Sequence, residues 1–353
     1  MKARELGFNV GSLKVGKKNC ITDVPDVKVG HVTLKKDTGN LERIRTGVTA
    51  IMPHNGNLFK EKVAAASFVA NGFGKTTGLI QVDELGLIES PIMLTNTFSV
   101  APVLQGTLAY MLRENPEIGD STSSINIVVG ECNDSYLNSA RQLAVKPEHA
   151  IAAIENASNE QAAEGAVGAG CGTMCFGYKG GIGSSSRVIS RQDLEKTADL
   201  EAPYTVGVLV LSNFGRKEEC LFLQKKETDD AAFIRPDGSI MMILATDAPL
   251  SSRQLKRLAK RCMIGLSRTG SHIHHGSGDI VIAFSNAEPI SHQSNEWMER
   301  KRFIRDDHPL MNLLFQAAAE ATEEAIMNSC TQAETTNGRK GRVGEKMPLQ
   351  PQE

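Results

Sequence analysis

One serine stands where chemistry can start. In Arg235-Pro236-Asp237-Gly238-Ser239, a turn-forming run delivers Ser239 to the head of the apolar stretch Ile240, Met241, Met242, Ile243, Leu244 and Ala245. Pro236 presets φ, and Asp237-Gly238 favours a tight bend before the strand. Gly238 has no Cβ, so its carbonyl is open to close approach. A serine hydroxyl beside such a carbonyl can attack its own peptide bond. The product is an ester, which water splits to leave Ser239 as a new amino terminus. The same residues also make an ordinary turn ahead of a core strand, so the choice falls to the rest of the chain.

Other polar groups sit at predicted strand ends, where layered α/β proteins commonly build sites. The stretch 204–213 reads as a strand and places Asn213 at its end, before Phe214-Gly215. The run 125–130 reads as a strand that ends in Glu131-Cys132-Asn133-Asp134-Ser135-Tyr136-Leu137-Asn138. That crowd of polar groups fits a site floor, and it fits equally well a helix N-cap with Tyr136 packed in the core. Ser271-His272-Ile273-His274-His275-Gly276-Ser277-Gly278-Asp279 leads into a strand over 280–285. Its histidines lack an acidic ligand at metal-binding spacing, so they read as loop histidines near a pocket.

The remaining elements have to position these groups. Residues 47–53 and 91–97 read as buried strands, 60–70 as a helix from its helix formers and apolar spacing, and 99–112, 147–159 and 309–330 as helices. The helix after Asp247 carries an apolar face and a basic face that reads as solvated surface. Gly74-Lys75-Thr76 is not a phosphate loop, because Val69 stands where the preceding glycine is required. The glycine-rich block 165–187 matches no dinucleotide fingerprint. Val167, Met174, Phe176, Tyr178 and Ile182 are threaded through it, so it reads as a close-packed region and not a linker. Residues 216–230 are charge-rich without a period and read as accessible, mobile chain ahead of the turn.

Composition bounds the function. With 39 Lys and Arg against 41 Asp and Glu, the net charge of −2 attracts no phosphate backbone, and no nucleic-acid partner is expected. The seven cysteines are scattered without a CxxC pair and read as reduced thiols, with no metal and no cofactor expected. No apolar run is long enough to span a membrane and no leader-like segment opens the chain, so the expectation is a cytoplasmic, non-membrane protein.

Taken in order, Asn19-Cys20-Ile21-Thr22-Asp23-Val24-Pro25, TGVTAI, NGFGKTTG, LTNT, GECNDSYLN, KGGIGSSSR, YTVGVLV, DGSI, ATDAPL and GSGDI resemble the L-aminopeptidase/D-esterase family, the DmpA-like β-aminopeptidases. The likeness covers most of residues 19–330. It implies a four-layer α/β/β/α sandwich, like that of N-terminal-nucleophile hydrolases, over residues 1–330, self-cleaved between Gly238 and Ser239 into 1–238 and 239–353. Residues 331–353, with no apolar periodicity, are expected to be a disordered tail. Matched residue by residue, Ser239 is the nucleophile, Ser277 and Asp279 its hydrogen-bonded partners, Asn213 an oxyanion donor, and Tyr136 a stabiliser of substrate or intermediate. Some relatives carry glutamate in place of Asp279.

The implied activity is release of amino-terminal residues from short peptides, amides or esters through an acyl-enzyme on Ser239, in a homo-oligomer that is commonly a tetramer. An acyltransferase of similar architecture and a non-catalytic ligand-binding relative are the alternatives. An amino-terminal serine has its own α-amine, with a pKa of about 7.7–8.0, that can serve as base. Ser277, polarised by Asp279, can take the proton instead.

Overall fold

The computed structural model describes residues 1–39, 41–194, 203–223 and 238–349. The first half supplies β1 (Lys28–Asp37), β2 (Arg43–Met52), β3 (Glu61–Gly72), α1 (Leu79–Leu85), β4 (Leu87–Ile88), β5 (Ile92–Asn96), α2 (Val100–Glu114), β6 (Val128–Cys132) and α3 (Pro147–Glu155). The second half opens with a short hairpin, β7 (Met174–Cys175) and β8 (Tyr178–Lys179). It continues through β9 (Ile182–Ile189), β10 (Tyr204–Asn213), β11 (Ser239–Thr246), α4 (Ser252–Thr269), β12 (Gly278–Ser291) and α5 (Leu310–Thr331), and closes with β13 (Thr336–Asn337) and β14 (Val343–Gly344).

Two sheets carry the fold, a four-stranded one in the order β1-β2-β5-β6 and a six-stranded one in the order β4-β3-β12-β11-β10-β9. Between them Ile51, Leu94 and Val128 of the smaller sheet meet Leu209, Leu211, Met241, Ile243, Ile280 and Ile282 of the larger. Outside the smaller sheet, α2 and α3 pack Val103, Met111, Ala150 and Ile154 on Val48, Ala50, Met93 and Val129. Outside the larger, α4 and α5 pack Leu255, Leu258, Leu266, Leu314 and Ile326 on Val208, Val210, Ile240, Met242 and Leu244. The layers are therefore α/β/β/α.

This sandwiching explains the unbroken apolar run of β11. Successive side chains of a strand point to opposite faces. Ile240, Met242 and Leu244 face the helices while Met241, Ile243 and Ala245 face the other sheet, so both faces are dry. Each of these residues other than Ala245 contributes roughly 1.5–3 kcal/mol on burial.

β11 and β12 run parallel, which requires a crossover, and α4 supplies it. Ser251 caps this helix by accepting from the Gln254 amide, and Gly270 ends it in the left-handed region at φ 112°. Its basic face is only partly solvated: Arg257 and Arg261 lie over the Phe315 ring of α5.

Three expectations need correction or restriction. Residues 60–70 are not a helix but most of β3, paired antiparallel with β12. Its alanines have high helix propensity, yet Val63 and Ala65 face the inter-sheet core while Ala64, Ala66 and Phe68 face the α4 side. Tertiary packing overrides local preference there. Residues 332–349 are folded, not free: β13 pairs with β14, the Lys179 amide donates to Glu345 O at 2.7 Å, and Met347 is buried. In the charge-rich stretch, 216–223 is anchored by buried Cys220 and by Phe222 against Phe176. Residues 224–237, Pro236 and Asp237 of the turn included, lie outside the described residues. The glycine-rich block is folded as expected.

Beneath β9, Arg187 is fully buried and ties distant parts of the chain together. Its guanidinium pairs with Glu320 at 3.0 Å and Glu324 at 2.8 Å on α5, and donates to Val10 O at 2.9 Å in the amino-terminal segment. Removing one partner from a buried ionic cluster leaves the other charges uncompensated. Arg187→Met, similar in bulk, should therefore lower unfolding stability by about 3–5 kcal/mol, read from the midpoint of urea denaturation at pH 7.

Candidate active site

Three neighbouring strands of the large sheet bring the polar groups together. In the antiparallel ladder of β10 and β11, Asn213 stands opposite Ser239. In the parallel ladder of β11 and β12, Gly278 stands opposite Ser239. On the far side of β12, Gly72 and Asn71 of β3 stand opposite Gly278 and Asp279. Ser239 is 7% exposed, and its Oγ accepts from the Gly278 amide at 3.2 Å. That bond fixes the hydroxyl rotamer and favours negative charge on the oxygen.

Ser277 Oγ donates to Asp279 Oδ1 at 2.9 Å, and the Ser277 amide donates to His274 O at 3.0 Å. The two polar pairs, Ser239 with Gly278 and Ser277 with Asp279, meet through the Ser277–Gly278 peptide. On β10, Asn213 Oδ1 accepts from the Met174 amide at 3.0 Å. An N–H can only be met by the oxygen, so this bond sets the orientation of the amide and makes its Nδ2 end the donor. Gly238 is sterically obligatory: a Cβ there would lie 2.1 Å from Asn213 O and 2.4 Å from Phe214 Cα. The bond ahead of Ser239 is thus pressed against the end of β10.

The sequence model of peptidase family S58 matches residues 19–344. The chain belongs to peptidase family S58. It is 37% identical over 370 residues to a beta-peptidyl aminopeptidase, BapA, of Sphingosinicella microcystinivorans, covering 98% of this chain and 89% of the relative. Among solved structures it is similar to a protein of Pyrococcus horikoshii OT3, with TM-score 0.90, 50% identity and coverage of 99% and 96% of the two chains. It is also similar to the L-aminopeptidase D-Ala-esterase/amidase of Ochrobactrum anthropi, with TM-score 0.87, 30% identity and coverage of 98% and 95%. That enzyme is described as a variant of the N-terminal-nucleophile hydrolase fold, and the present α/β/β/α layering is similar to it.

Within this S58 chain the described contacts gather four of the sequence-derived site residues. Bonds or register link Ser239, Asn213, Ser277 and Asp279. Tyr136 lies beyond β6, half-buried beneath Arg342, whose guanidinium is 4.8 Å from the ring centroid and donates to Tyr136 O at 3.2 Å. Among the described residues no group of three or more His, Cys, Asp or Glu side chains is arranged to hold a metal ion. All seven cysteines are free and buried. His274 pairs with Glu219 at 2.8 Å.

Two further residues belong to the site that sequence reasoning did not single out. Asn71 Nδ2 donates to the carbonyls of His274 at 3.1 Å and His275 at 2.9 Å, and also to that of Ser277. It clamps the turn that presents Ser277. Glu131, buried at the end of β6, accepts from the Lys75 amide at 2.8 Å and from the Thr97 hydroxyl. Gly74 lies between it and the start of β12, since a Cβ on Gly74 would lie 3.5 Å from Glu131 Oε1 and 3.9 Å from Gly278 Cα. The NGFG run was the available signal: its glycines let the chain pass between these groups.

Burial pushes the Asp279 carboxyl up from its ordinary 3.8 to about 6, against the opposing pull of the Ser277 hydroxyl and the His274 charge. Its Oδ2 is buried with no hydrogen-bond partner. A carboxyl whose folded pKa exceeds its unfolded value binds more protons folded than unfolded. Its contribution to stability is therefore full below 3.8 and is lost as pH rises through about 6. Asp279→Asn removes this cost. The variant should be more stable than wild type by on the order of 2 kcal/mol at neutral pH, with the gap closing in acid, as measured by thermal unfolding at several pH values.

Proposed function

We propose that this chain cleaves its own Gly238–Ser239 bond and then acts as an aminopeptidase on short peptides, amides and esters, with Ser239 as the amino-terminal nucleophile. The observation that carries the reading is the placement of Ser239 at the first position of β11, flanked by Asn213 and Gly278, behind a residue that only glycine fits. The names of the relatives, beta-peptidyl aminopeptidase and L-aminopeptidase D-Ala-esterase/amidase, support substrates with a free amino terminus, β-amino acids included.

In the uncleaved chain the Ser239 nitrogen is an amide and cannot take a proton. The proton leaving Oγ therefore goes to the Ser277–Asp279 pair when Ser239 attacks the Gly238 carbonyl. The bond from Gly238 carbon to Ser239 nitrogen breaks, that nitrogen takes up a proton, and water hydrolyses the resulting ester. The freed α-amine then gives a second base, and both routes stay open to the mature enzyme. Attack on a substrate carbonyl yields an oxyanion that Asn213 Nδ2 can meet, a contact typically worth roughly 2.7–4 kcal/mol in the transition state. Tyr136, following the strand that carries Glu131, offers a phenol to the substrate or intermediate. Glu131 supplies a buried negative charge for the substrate ammonium, which distinguishes an aminopeptidase from an endopeptidase.

Mass spectrometry of purified protein should show fragments 1–238 and 239–353, with Ser239→Ala remaining one chain. Only cleaved protein should release p-nitroaniline from an aminoacyl p-nitroanilide. Intact wild-type protein with full activity would overturn the reading. Delivery of the acyl group only to an added amine, never to water, would make the protein an acyltransferase.

A further inference from the structure

Lys179 is a fully buried lysine whose ammonium is met by backbone carbonyls. Its Nζ donates to Gly170 O and Thr173 O, each at 2.9 Å, and to Gly180 O at 2.5 Å. These three bonds use all three of its donors. The surrounding backbone closes on the ammonium because it is glycine: a Cβ on Gly170 would lie 2.5 Å from the Ile182 nitrogen, and one on Gly180 would lie 2.8 Å from Cys175 Cβ. Burial pulls the lysine down from 10.5 to about 7. A buried ammonium is costly, and nothing in the reaction outlined above uses it.

The Thr173–Met174 peptide unit connects it to the site. The carbonyl of that unit accepts from Lys179 Nζ, and its N–H donates to Asn213 Oδ1 at 3.0 Å. Hydrogen bonds in such a chain polarise one another. A charge on the carbonyl side sharpens the N–H as a donor, and that N–H in turn draws electron density through the Asn213 amide away from Nδ2.

We propose that Lys179 is the positioning residue of the oxyanion donor, gripping the Thr173 carbonyl so that the Met174 N–H orients and polarises the Asn213 amide toward the developing oxyanion. This rests on the reading of Asn213 proposed above.

The test is a double-mutant cycle on cleaved, folded enzyme. Lys179→Met should lower kcat on an aminoacyl p-nitroanilide about tenfold with KM unchanged, since charge-assisted bonds are roughly twice as strong as neutral ones. Lys179→Gln, which keeps donors but no charge, should fall between Lys179→Met and wild type. In an Asn213→Ala background, Lys179→Met should cost no further turnover. A normal kcat in Lys179→Met, or an equal loss in the Asn213→Ala background, would overturn the proposal. Wild-type turnover in Asn213→Ala would instead overturn the reading of Asn213.

Should the Lys179 variants not fold, wild type and Asn213→Ala suffice. Relative to the matching alcohol, an aminoaldehyde that binds as an oxyanion adduct should lose affinity for wild type as pH rises through about 7. Asp134, Cys171, Cys330 and Lys35 are the titratable groups around Lys179, and Asp134 itself titrates at about 7. Asn213→Ala leaves all of them in place, together with Asp279 and the Ser239 α-amine, so the expected result is a steeper fall in wild type than in Asn213→Ala. Equal pH dependence in the two proteins would overturn the proposal.

Discussion

Everything at the site depends on register across three strand ends. Asn213 ends β10, Ser239 begins β11 and Gly278 begins β12, and the ladders hold them side by side. The side-chain period along a strand is two, so a slip of one residue would turn Ser239 away from its neighbours and move every apolar side chain of β11 to the opposite face. The two dry faces of β11, one against α4 and α5 and the other against the smaller sheet, resist such a slip. Packing free energy thereby fixes the geometry of the polar strand ends.

The same packing sets the electrostatics. Asp279 and Lys179 both reside where water is excluded, and burial moves each toward neutrality, the acid upward and the base downward. Arg187 contrasts with them, since its guanidinium is met by two carboxylates and joins α5 to the amino-terminal segment. Arg187 serves the fold, whereas Asp279 lies one hydrogen bond from Ser277 and Lys179 two from Asn213. Glycine has a matching role at both places: Gly238 admits the end of β10 to the Gly238–Ser239 peptide, and Gly170 and Gly180 admit backbone to the ammonium.

Much of this was legible in sequence where a local rule decided it. The strands over 204–213 and from Ser239 could be read because their apolar runs are bounded by breakers, and the glycine block because apolar residues thread it. The helix expected over 60–70 failed because alanine suits both states, and only pairing with β12 selects the strand. The tail looked structureless because its partners, Leu137 and Lys179, are distant in sequence. Asn71 and Glu131 went unassigned for the same reason, and Lys179 because a lysine inside a glycine-rich run carries no sign of its burial. Asn71 acts on a turn about two hundred residues away, and no spacing rule reaches that far.

The central claim is that the hydroxyl of Ser239, at the head of its own fragment, carries the acyl group. It is tested most directly by acid-quenching the enzyme during turnover of a slowly hydrolysed aminoacyl ester and weighing the fragments. The account predicts an aminoacyl adduct on fragment 239–353, released by hydroxylamine, with fragment 1–238 unmodified. Turnover that leaves the adduct on fragment 1–238 would contradict it.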